Sequence, residues 1–137
     1  SETNDNRYEL ILKGICRFKI KKEKKVINGF RSAEISWDQY NNDYNSSSLK
    51  SSKKRKDFES LLKIFLKKIS INADWEMVET TNDEDLVNMI SMCCPFDVSE
   101  KQALLEAKNL DDRLEVLNSL MQMGINDNKM SVSGNPS

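Results

Sequence analysis

Three thiols, at Cys16, Cys93 and Cys94, are the most reactive side chains in the sequence, and no histidine accompanies them. Without histidine, Ser–His, Cys–His and His–metal arrangements all fall away. Cys93 and Cys94 are adjacent, which is not a CxxC spacing, and with no histidine to complete a set they do not make a zinc site. Each cysteine stands among apolar residues, where burial as a free thiol in a reducing cytoplasm is the expectation. The glycines, Gly14, Gly29, Gly124 and Gly134, form neither a phosphate-binding loop nor a dinucleotide fingerprint. Carboxylates cluster at Asp83-Glu84-Asp85 and at Asp111-Asp112. Such clusters can hold Mg²⁺ or act as an acid–base pair, but here each sits at an expected helix start, where the helix dipole favours acids. No glycine-shaped turn presents a serine to a lysine. The sequence therefore assigns no catalytic, cofactor-binding or metal-ligating residue, implies no cofactor, and leaves the substrate-binding residues unassigned.

Composition sets the wider limits. The 137 residues suit one domain, or one domain plus a tail. With 38% hydrophobic and 31% charged residues, a modest core is affordable if the polar residues are segregated. Net charge is −1, so no global field draws the chain toward nucleic acid or an acidic membrane. The charges are nevertheless sorted. Residues 50–68 hold eight bases against two acids, and residues 83–115 hold nine acids against three bases. Two helices packing with complementary charges explain this better than a nucleic-acid patch, because the basic run lacks interleaved surface aromatics. No apolar run approaches the roughly 18 residues of a membrane span, and no signal peptide is visible.

The elements that would position any site divide into strands and helices. Residues 8–13 put Tyr8, Leu10 and Leu12 on one face. Beyond Gly14, expected to mark a bulge or bend, Cys16, Phe18 and Ile20 alternate with Arg17, Lys19 and Lys21. Asn28-Gly29 is a turn signal. A further strand follows, with Ala33, Ile35 and Trp37 on one face. Two such strands are too few for a stable sheet. Residues 41–52, rich in Asn and Ser, are expected to be a flexible linker.

Helical periodicity takes over beyond the linker, over residues 53–124. Phe58, Leu61, Leu62, Phe65, Leu66 and Ile69 fall on one stripe. Trp75 and Met77 are expected to plug the core from a connection. Asn82 or Asp83 caps the next helix, whose stripe is Leu86, Val87, Ile90, Cys93 and Cys94, and Pro95 stops it. Ser99 to Gln102 fits a capping box. A short helix then carries Ala103, Leu104 and Leu105. Asn109 opens the last helix, with Leu110, Leu114, Leu117, Leu120 and Met121 inward and Gly124 ending it. About four helices in a bundle are expected, two of them short, followed by a disordered tail over 125–137.

These segments carry a resemblance. Gly14-Ile15-Cys16-Arg17-Phe18-Lys19-Ile20 resembles the G-x-x-R-F-x-I strand of LON domains, the substrate-recognition domains found at the start of ATP-dependent Lon proteases and as free-standing proteins. Residues 30–37 resemble the family's following strand. Pro95-Phe96-Asp97-Val98-Ser99-Glu100-Lys101-Gln102-Ala103-Leu104-Leu105-Glu106 is similar to its proline, spacer and E-K-Q-x-L-L-E segment, and residues 112–117 to its R-L-x-x-L helix. The resemblance implies an α+β fold, with the terminal strands of a PUA-like β-barrel (residues 1–40) followed by a mostly helical bundle. It implies a non-catalytic module that recognises unfolded or partly folded polypeptides, with other subunits as further partners, in the cytoplasm. The alternative is an RNA-binding PUA-like module using the basic 50–68 segment. The family's opening strands have no counterpart in the sequence. The chain accordingly reads as the C-terminal portion of a stand-alone LON protein, in which nucleic acid is a disfavoured partner and a membrane is not expected.

Overall fold

The computed structural model describes residues 8–127. It is α+β, and the chain divides after Asn45 into two compact units.

The first unit is a hairpin with an appended 3-10 segment. Strand β1 (Lys19–Glu23) pairs antiparallel with β2 (Ala33–Ser36), with Ile20 opposite Ile35 and Glu23 opposite Ala33. Lys21 has no opposite residue, because the register shifts between Ile20 and Lys22, the mark of a bulge. At the tip, Asn28 (φ 53°) and Gly29 (φ 84°) both lie in the left-handed region. Two such residues in succession are what a two-residue hairpin loop requires to match strand twist. The Phe30 amide closes the loop on the Ile27 carbonyl at 3.2 Å.

One expectation fails in this unit. Residues 9–18 form no strand before β1, since alternation alone cannot hold a strand without a neighbour to accept its ladder hydrogen bonds. Of the PUA-like barrel whose terminal strands were expected here, residues 8–45 show a two-stranded sheet that stays open, too few strands to close on themselves. The linker expected over 41–52 takes in the end of a kinked 3-10 helix, Asp38–Tyr44, and the first residue of the next helix.

The second unit holds five helices: α1 (Ser52–Lys68), α2 (Trp75–Thr80), α3 (Asp83–Cys93), α4 (Val98–Glu106) and α5 (Leu110–Asn126). Its core is the α1 stripe Phe58, Leu62, Phe65, Leu66 and Ile69, packed with Val78, Leu86, Val87, Ile90, Leu104, Leu114, Leu117 and Met121. Phe65 and Phe96 stack with ring centroids 5.9 Å apart. Caps begin the helices where side-chain acceptors meet free amides: Asn82 accepts from the Asp85 amide and Asn109 from the Asp112 amide, each at 2.9 Å.

Several details differ from expectation. Trp75 and Met77 open a helix, and the residue that fills the core there is Val78, while Met77 is exposed. On α3, Cys93 is exposed and Ser91 is buried, donating to the Val87 carbonyl at 2.7 Å. Cys16 is only half-buried, so Cys94 alone matches the expected buried thiol. The α4 capping box is Asp97 with Glu100, not Ser99 with Gln102. A carboxylate accepts the Glu100 amide more strongly than a hydroxyl accepts its own N3 amide, and this sets the helix start earlier. Of the three apolar residues expected on α4, only Leu104 is buried. Gly124 does not end α5; it is buried within the last turn, and the helix runs to Asn126. The disordered tail expected over 125–137 thus starts inside α5, and its residues 128–137 lie outside the described residues.

The sorted charges meet across this unit. Lys54 Nζ lies 2.8 Å from Asp111 Oδ1 and 3.5 Å from Glu115 Oε1. The Lys54 ammonium holds the Asp111 carboxyl below the ordinary carboxylate range, and Asp111 raises the Lys54 pKa in turn. Because the folded value of Asp111 is depressed, its contribution to stability is present above the unfolded value of about 4 and is lost as pH falls through the folded value. Lys54→Met is expected to flatten this acid limb. Urea midpoints at neutral pH and below pH 4 check it, and equal acid sensitivity in both proteins would contradict it.

Candidate functional site

The residues that carried the chemical possibilities resolve into structural roles. Asp83 accepts from the Leu49 amide (2.9 Å) and from Arg55 Nη1 (2.9 Å), and Glu84 accepts from the Ser47 amide (2.8 Å). Asp112 accepts from Asn109, and Asp111 is engaged with Lys54. Both acid clusters occupy first turns of helices. Burial, with the neighbouring Cys93, pushes the Cys94 thiol up to about 11, so little nucleophilic thiolate forms near neutrality. Among the described residues no group of histidine, cysteine and acids can hold a metal ion, and no helix is long and apolar enough to cross a membrane. In the helical unit an open depression is lined by Lys56, Glu59, Ser60, Lys63, Trp75 and Glu79. The Lys63 ammonium stands 5.4 Å from the Trp75 ring centroid and covers that ring.

The first unit has an unusual distribution of surface. None of its described side chains is fully buried. Its half-buried residues are mostly polar. The Arg17 backbone amide (2.9 Å) and Nε (2.8 Å) both donate to Asp43 Oδ2, and Nη2 donates to Oδ1 at 2.7 Å. The guanidinium also lies 4.5 Å from the Tyr40 ring centroid. Hydrogen bonding to Asp43 raises the Arg17 pKa further above its ordinary value. Cys16 Sγ donates toward the Arg17 carbonyl at 3.2 Å. A bidentate, aromatic-backed pair of this kind fixes geometry that a single ammonium could not. It anchors the segment leading into β1 to the 3-10 helix.

The apolar side chains of this unit face solvent instead. Ile20 and Ile35, directly opposite across the ladder, are 56% and 37% exposed, and Phe18 and Trp37, just outside the two strands, are 54% and 49% exposed. At the tip, Val26, Ile27 and Phe30 are exposed, and so are Leu10, Ile11, Leu12 and Ile15 before β1. Isolated exposed apolar residues are ordinary, whereas a set this dense is the feature to weigh as a candidate interaction surface. Among the described residues the sheet has two strands, so the outer edges of β1 and β2 offer backbone donors and acceptors to an incoming chain. The sequence assigned none of these residues to a site. Its signal was the alternation around β1, taken there for a half-buried strand.

No curated protein and no solved structure matches the chain. The family model described as the ATP-dependent protease La (LON) substrate-binding domain matches residues 1–123, taking in the hairpin and all but the last turn of α5. The chain belongs to the LON substrate-binding domain family.

Proposed function

We propose that the chain is a non-catalytic recognition module that holds unfolded or partly folded polypeptides on its hairpin. The observation that carries this is the exposed ribbon of Phe18, Ile20, Ile35 and Trp37 beside unpaired strand edges. An extended segment adds to such an edge through backbone hydrogen bonds, while alternate side chains seek apolar contact. Membership of a substrate-binding family supports the same reading. In this proposal the strand portion, residues 1–40, recognises, residues 41–52 connect, and the bundle of residues 53–124 gives the stable base. A cytoplasmic setting is part of the proposal and rests on the three free thiols.

RNA binding through residues 50–68 has less to draw on. Lys54 is engaged with Asp111 and Glu115, and Arg55 with Asp83 and Glu59, so two of the four consecutive bases are already neutralised.

Fluorescence anisotropy with a labelled polypeptide, reduced and alkylated so that it stays unfolded, tests the main reading. The wild-type chain is expected to bind it and not its native form. Ile20→Ser with Ile35→Ser is expected to weaken binding about tenfold, the equivalent of about 1.4 kcal/mol of lost apolar contact. Val98→Ser, at a still more exposed apolar position on α4, is expected to leave affinity unchanged. No binding by the wild-type chain, or equal loss in both variants, would overturn the proposal.

A further inference from the structure

We infer that the hairpin selects extended polypeptide segments in which acidic residues alternate with apolar ones. This rests on the polypeptide-binding reading above and adds a charge preference to it.

Residues 13–31 hold eight bases and one acid, in a chain whose net charge is −1. Two of those bases are neutralised locally: Arg17 by Asp43, and Arg31 by Glu23. The other six, Lys13, Lys19, Lys21, Lys22, Lys24 and Lys25, are exposed. Among the described residues none of the six has a carboxylate within ion-pair distance. Glu34 stands opposite Lys22 in the ladder without closing such a pair. The helical unit is different, since its basic segment faces acids of α3 and α5.

The lysines interleave with the exposed apolar set. Lys19 and Lys21 flank Ile20, and Lys24 and Lys25 lead into Val26 and Ile27. Successive residues of a strand point to opposite faces. A ribbon that is apolar on one face and basic on the other and at its tip is complemented by a chain with the same period and acidic partners. Such charges contribute mainly selectivity and encounter rate, and salt screens them.

Two other polyanions fit less well. Single-stranded nucleic acid is held by aromatic platforms between cations; Phe18, Phe30 and Trp37 are exposed, but the apolar side chains that the lysines flank or lead into, Ile20, Val26 and Ile27, are aliphatic and offer no face for base stacking. An anionic membrane would take the apolar side chains, but an open sheet edge carries backbone groups that hydrocarbon cannot satisfy.

The test uses the full chain and three short labelled peptides of one length, alternating Val or Leu with Glu, Ser or Lys. At low salt the Glu peptide is expected to bind at least about fivefold more tightly than the Ser peptide, and the Lys peptide most weakly. High salt, which shortens the screening length to about 3 Å, is expected to bring the three together. Changing Lys21, Lys22, Lys24 and Lys25 to Gln is expected to remove the preference while leaving Ser-peptide affinity in place. Equal affinity for the Glu and Ser peptides at low salt would overturn the charge selection while sparing polypeptide binding. Failure of all three to bind would overturn both. Single-stranded RNA or anionic phosphatidylserine vesicles displacing the Glu peptide at comparable charge concentration would assign the hairpin to those ligands and sink the inference. So would a concentration-dependent dimer in sedimentation that the Glu peptide cannot dissociate.

Discussion

Phe65→Ala is expected to cost the helical unit about 3–5 kcal/mol, the range for truncating a buried aromatic. Phe65 is fully buried on α1, and its ring stacks on Phe96 in the connection between α3 and α4. The truncation removes apolar contact and leaves a void between elements that its neighbours cannot close together. A unit of this size has a total stability of about 5–15 kcal/mol, so the variant should sit near its unfolding threshold at ambient temperature. Urea unfolding followed by far-ultraviolet circular dichroism measures it. The midpoint should fall steeply with little change in slope. A loss below about 1 kcal/mol would mean the core is not packed as described.

Arg55→Ala is expected to cost about 2–4 kcal/mol, through a different mechanism. The Arg55 side chain is 14% exposed and serves four acceptors. Nε donates to Glu59 at 2.5 Å and Nη1 to Asp83 at 2.9 Å, while Nη2 donates to the Val78 and Thr81 carbonyls at 2.6 and 3.0 Å. One guanidinium thus joins α1 to the end of α2 and the start of α3. Removing it takes this donor from the Val78 and Thr81 carbonyls and leaves Asp83 with the Leu49 amide. Arg55→Lys should recover less than half of the loss, because one ammonium cannot serve the whole fork. In a double-mutant cycle, Arg55→Ala and Asp83→Ala should be clearly non-additive. Additive losses would mean that the Arg55–Asp83 contact contributes nothing of its own.

The helical half was legible in the sequence because its stripes have a helical period and side-chain caps. Phe58, Leu62, Phe65 and Leu66 on α1, and Leu110, Leu114, Leu117 and Met121 on α5, are the expected core residues and are buried. Local chemistry that allowed two answers was resolved by the stronger acceptor, as at Asp97 rather than Ser99. Cys93 lay within an apparent stripe but falls at the exposed end of α3, where the buried place is taken by Ser91 hydrogen-bonded to its own helix. Periodicity cannot foresee that exchange. The bidentate Arg17–Asp43 pair joins residues 26 apart in sequence, and no local pattern announces it.

The hairpin half was legible in its pairing and its Asn28-Gly29 turn, and less so in its burial. Alternation around β1 shows that two faces exist, not whether anything covers one of them. Residues 9–13 alternate as well as β1 does, yet they stay outside the sheet. The candidate site was therefore present in the sequence as apolar residues that a half-buried strand would have hidden.

Amide hydrogen exchange of the full chain, with and without a saturating unfolded polypeptide, tests the central claim most directly. Slowed exchange is expected on the outward-facing amides of β1 and β2, together with residues 15, 16, 18 and 37. The amides of α1 and α5 should be unaffected. Protection confined to the helical unit, with the hairpin exchanging as fast as in the free chain, would contradict the account.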